Sequence, residues 1–137
     1  MGLYLCIFDR CGDDICGIDV GPYQDFAVFR MCVAGFVDEG RLQSKPTLLQ
    51  HADCDGIWNT AACQVLIGEL AEIKTVFQQE PPCEEIWQLK EGIFKFWGIS
   101  PANLFECFVD SDCEFLVDRL LDLCSRAVKE KRPIVFQ

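Results

Sequence analysis

Between Asn59 and Glu80 the chain places Cys63, Leu66, Ile67, Leu70, Ile73 and Phe77 at the three- and four-residue spacing of one helical face, and Pro81-Pro82 stops the run. Asn59 or Thr60 can cap its start, because a short polar side chain accepts a free N–H of the first turn. A long helix with a single apolar stripe must bury that stripe against other elements. The rest of the chain has to supply the layer that receives it.

Two strands, Leu3 to Phe8 and Ile15 to Val20, flank the turn-rich segment Asp9-Arg10-Cys11-Gly12-Asp13-Asp14 and predict a hairpin. Gly21-Pro22 introduces a helix on which Phe26, Phe29, Val33 and Phe36 recur, and Gly40 is placed just past its end. The apolar run Thr47 to Gln50, after Pro46, reads as a third strand. Ile86 to Trp97 reads as one helix ended by Gly98, with Ile86, Trp87, Ile93, Phe94 and Trp97 on its apolar side and Phe96 at the margin. Lys90 falls within that apolar side, so its stem must run along the surface to water or the side is only partly covered. Ser100-Pro101 starts a short turn over Asn103 to Phe108. Ser111 and Glu114 fit the capping box of a last helix that turns Leu116, Leu120, Leu123 and Ala127 to the core. Its other face carries Asp118, Asp122, Arg126 and Lys129, with Asp122 and Arg126 one turn apart and able to pair. Pro133 to Phe136 closes the chain as a short strand. The pattern predicts an α+β fold, a small mainly antiparallel sheet packed with about three to four helices. With half of its 137 residues hydrophobic, eleven of them Phe, the chain should form a single domain over residues 1–137.

Twenty-two acidic residues against twelve basic ones give a net charge of −10, spread through both halves. That field disfavours nucleic acid and anionic membranes and favours a basic protein partner. The ten cysteines include no C-x-x-C pair, and Cys32, Cys63 and Cys124 lie on or beside apolar helix faces. They read as reduced core residues of a cytoplasmic protein, with no zinc ribbon, redox motif or signal segment.

His51, Asp53, Asp55 and Gly56 occupy the first, third, fifth and sixth places of a calcium-loop window, but the twelfth place is Ala62 where a bidentate glutamate is needed. A rigid turn whose carboxylates accept backbone N–H groups accounts for the same residues. The alternative is a small divalent-cation enzyme or sensor in which Asp53 and Asp55 converge with Asp110 and Asp112. Helix capping explains that second pair without a metal. No nucleophile elbow, phosphate loop or H-E-x-x-H is present, so the chain reads as non-catalytic and without a cofactor. A third reading is a homodimer with Phe96 in the contact.

The opening Met1-Gly2-Leu3-Tyr4-Leu5, the Pro46-Thr47-Leu48-Leu49 run after a basic loop, the Asp53-Cys54-Asp55-Gly56 turn, the Pro81-Pro82 break and the ending Pro133-Ile134-Val135-Phe136 resemble the immunity protein 70 family of bacterial polymorphic toxin systems. The resemblance runs in order through nearly the whole chain. It implies a cytoplasmic protein that binds and neutralises a cognate toxin domain with no chemistry of its own. Rows of carboxylates suit a basic toxin such as a nuclease, where they imitate phosphates. The candidate contacts are Asp53 and Asp55 first, then Asp110 and Asp112, then Asp13 and Asp14 in the hairpin turn.

Overall fold

A computed structural model describes residues 2–36, 46–49, 51 and 56–137. Four strands form one fully antiparallel sheet in the order β2-β1-β4-β3, with β1 at Gly2–Phe8, β2 at Asp14–Pro22, β3 at Ile57–Trp58 and β4 at Ile134–Phe136. The C-terminal strand lies between β1 and β3, where Leu5 pairs with Phe136 and Trp58 with Ile134. The expected hairpin is present as β1 and β2, with two register shifts along it. The architecture is α+β, as the pattern predicts.

The helices are α1 at Tyr23–Phe36, α2 at Pro46–Leu49, α3 at Thr60–Gln79, α4 at Glu84–Trp87, α5 at Glu91–Trp97, α6 at Leu104–Cys107 and α7 at Leu116–Glu130. Four of them have seven residues or more. In α3 the whole stripe of the sequence faces inward, and Asn59 caps its first turn by accepting the Ala62 N–H at 2.8 Å. Leu120, Leu123, Cys124 and Ala127 of α7 and Phe26, Phe29 and Val33 of α1 join it over Leu5, Ile7, Ile18 and Phe136 of the sheet. Phe29 lies edge-on to both Phe77 and Phe108, so α1, α3 and the segment after α6 meet at one aromatic cluster. Phe36 is half exposed and outside that cluster.

Three sequence expectations change. Residues 46–49 form the helical turn α2 instead of a strand, and the third strand is Ile57–Trp58. A four-residue apolar run carries no usable period, and here side chains take up its backbone: Glu69 accepts the Thr47 N–H at 3.1 Å and Trp58 Nε1 donates to the Thr47 carbonyl at 3.2 Å. The helix expected from Ile86 to Trp97 is broken by a 3-10 turn at Gln88–Lys90. The last helix has Phe115 at its N-cap with no side-chain cap, so Ser111 and Glu114 do not form a capping box. Gly40 lies outside the described residues.

Candidate partner-binding site

His51 and Trp58 close the side of the sheet at β3. The His51 ring stacks on Phe136 at 4.3 Å, and its Nε2 meets the Ile57 carbonyl at 3.0 Å. A carbonyl only accepts, so Nε2 carries the proton and is used within the fold. Arg30, drawn below its ordinary pKa by burial, donates through Nη2 to the Leu49 and His51 carbonyls. His51 is therefore a fastener between α1, β3 and β4. Asp53 and Asp55 lie outside the described residues.

Asp110 is fully buried and its carboxylate is committed to the fold. Oδ1 accepts the Asp112 and Glu114 N–H groups at 2.9 and 3.0 Å, and Oδ2 accepts from Arg119 Nε at 2.9 Å. This turn replaces the expected capping box: an acid with two backbone donors and a guanidinium orders the loop before α7. Ser111 N–H donates to the Asp19 carbonyl at 2.9 Å and ties the loop to β2. Asp112 stays exposed on top of it. Asp13 and Asp14 are exposed at the hairpin turn, where Asp9 orders the chain by accepting the Cys11 and Asp13 N–H groups. Asp14 and Asp19 stand near opposite ends of β2, about 17 Å apart at the rise of an extended chain. The exposed Asp112 and the pair Asp13 and Asp14 thus mark the two ends of the same strand.

Between those ends runs a groove of about 390 Å³, with Cys16, Gly17 and Ile18 of β2 on one wall and Arg119, Asp122, Ser125, Arg126 and Lys129 of α7 on the other. A Cβ at Gly17 would stand 2.4 Å from the Tyr4 hydroxyl that lies across it, so a larger residue there must displace that ring. The Gly17 carbonyl turns outward to Arg119 Nη2 at a long 3.4 Å. Arg126 pairs with Glu130 at 2.9 Å, not with Asp122. Arg126 and Lys129 lie on the polar face of α7 that the sequence pattern marks out. Arg119 could have been found as a basic residue nine positions after Asp110, but only the fold brings Gly17 beside it.

A second exposed region is the α4–α5 limb. Phe94 alone is buried in α5, while Phe96 is 81% exposed, Trp97 57% and Leu89 55%. Phe96 is exposed as its marginal position suggests, whereas Trp97 does not join the core. Lys90 sits at the helix break because its Nζ reaches inward, pairing with Asp25 at 3.2 Å and donating to the Val109 carbonyl. Its head is largely covered and partnered instead of running out to water.

The described cysteines are free thiols, and Cys6, Cys63, Cys107 and Cys124 are buried. Burial pushes the Cys32 thiol up to about 11, and burial together with the Asp14 carboxylate does the same for Cys6. Cys63 and Cys124 share a hydrogen bond between α3 and α7 that lowers the pKa of the first and raises that of the second. Among the described residues no group of three or more His, Cys, Asp or Glu is arranged to hold a metal ion, and nothing there supports the cation alternative. No helix among them is long and apolar enough to cross a membrane.

The chain matches the family model described as Immunity protein 70 over residues 3–136. No curated protein and no solved structure matches it.

Proposed function

The chain belongs to the immunity protein 70 family, and on that premise we propose that it binds and neutralises a cognate toxin domain in the bacterial cytoplasm, without catalysis or cofactor. The observation that carries this reading is the extent of the match, residues 3–136, nearly the whole chain. The net charge of −10 favours a basic toxin. Of the candidate contacts, Asp112, Asp13 and Asp14 are exposed, Asp14 while accepting the Cys6 thiol. Asp53 and Asp55 remain candidates on sequence grounds. Asp110 acts behind the surface, by fixing the loop that carries Asp112.

The test is co-expression with the toxin domain encoded in the neighbouring gene. Cells making both proteins are expected to grow as well as cells making neither. Growth arrest that is unchanged by this chain would refute neutralisation. Replacing Asp13, Asp14 and Asp112 together by Ala should weaken the complex at least tenfold, and unaltered affinity would remove those carboxylates from the contact.

A further inference from the structure

We propose that the toxin is held by strand addition: an extended segment of the toxin domain bearing an acidic side chain lies in the groove between β2 and α7 and pairs with the free edge of β2. This rests on the toxin-binding reading and specifies its surface. In an antiparallel pair the residues of one strand direct both backbone groups alternately toward and away from the partner. The carbonyls of Gly17 and Asp19 both face away from β1, since one meets Arg119 of α7 and the other Ser111 of the loop before it. The Asp19 carbonyl is closed by a 2.9 Å bond, but the Gly17 carbonyl is met only loosely among the described residues, at the middle of the groove. A nine-residue outer strand with open backbone groups is a template for another strand.

The groove also defines the chemistry of its occupant. Its volume of about 390 Å³ is within the usual range of ligand sites, and Ile18 and Leu123 line its buried part. On the α7 wall Arg119 is held by Asp110 and Glu114 and Arg126 by Glu130, whereas Lys129 makes no ion pair among the described residues. An acidic side chain on the added strand would complement Lys129, while Asp13, Asp14 and Asp112 at the strand ends would meet a basic surface around it. Those same end carboxylates oppose a second copy of this chain. Antiparallel pairing of β2 with itself would set the Asp13–Asp14 end of one molecule against the Asp112 end of the other, and like charges facing across strands repel.

The experiment measures affinity of the chain for the toxin domain encoded in the neighbouring gene, by calorimetry, for four forms of the protein. Ser125→Trp puts an indole into the groove from an exposed position, and Lys129→Glu reverses the charge of the cation on its α7 wall. Both variants should keep the melting temperature of the parent and bind at least tenfold more weakly, whereas Phe96→Ser, outside the groove lining, should bind as the parent does. Parent-like affinity of both groove variants, or a loss confined to Phe96→Ser, would overturn strand addition while leaving neutralisation intact. Self-association of the chain that Ser125→Trp abolishes would assign the groove to a second copy and overturn the proposal. Absence of any complex with the parent protein would overturn both the proposal and the reading it rests on.

Discussion

The two outer strands of the sheet differ in length and in what meets their backbone. β3 has two residues, and its carbonyls are taken by neighbouring side chains: His51 Nε2 at Ile57, and the Cys63 thiol at Trp58. Trp58 itself is buried edge-on against Phe136. β2 has nine residues and runs beside a groove, with one outward carbonyl closed by Ser111 and another touched at 3.4 Å by Arg119. Folded proteins shorten or cover their sheet edges to avoid unwanted pairing. One edge here follows that rule through core aromatics, and the other is long, concave and flanked by exposed carboxylates. The contrast separates an edge closed by core side chains from an edge that borders a groove.

The largest effect should come from opening the closed edge. Trp58→Ala removes a buried indole and its hydrogen bond to Thr47, and should cost about 4 kcal/mol of stability in urea denaturation. A loss below about 1 kcal/mol would mean that β3 is not a structural edge. Next is the loop that ties α7 to β2. Asp110→Ala leaves two backbone donors and Arg119 without their acceptor and should cost about 3 kcal/mol, whereas Asp110→Asn, which keeps a carbonyl acceptor, should cost less. Equal losses for the two variants would contradict the arrangement.

A smaller effect is expected at alkaline pH on the hairpin. The Cys6 thiol is held at about 11 in the folded chain against an ordinary value of about 9, so the folded state keeps a proton that the unfolded state releases. Its contribution is complete below about pH 9 and is lost as pH rises through about 11. Thermal melts should therefore fall over that range, and less so in Cys6→Ala. An identical fall in both proteins would assign the alkaline loss elsewhere. The smallest change is expected at the open edge, where Ser125→Trp should alter stability by no more than about 0.5 kcal/mol. A loss as large as that of Asp110→Ala would make the groove part of the core.

Long one-sided patterns were readable in the sequence and short ones were not. The α3 stripe repeats over twenty residues, so its face and both ends follow from local rules. Thr47-Leu48-Leu49 is too short for a period, and its helical turn depends on Glu69, Trp58 and Arg30, all distant in sequence. The break at Lys90 has a local trace, a cation on an apolar face, but its partner Asp25 lies on another helix. Asp110 reads as half of an acidic pair and becomes a buried support only once Arg119 and the Asp112 and Glu114 N–H groups meet it. The groove was not legible, because β4 arrives from the C-terminus beside β1 and thereby makes β2 an outer strand.

The most direct test of the account is amide hydrogen exchange on the chain alone and in complex with the proposed toxin partner. The outward N–H groups of Gly17 and Asp19 should exchange rapidly in the free chain and become strongly protected in the complex, while Ile57 and Trp58 keep the same rates in both. A stable complex in which the β2 amides exchange as they do in the free chain would contradict it.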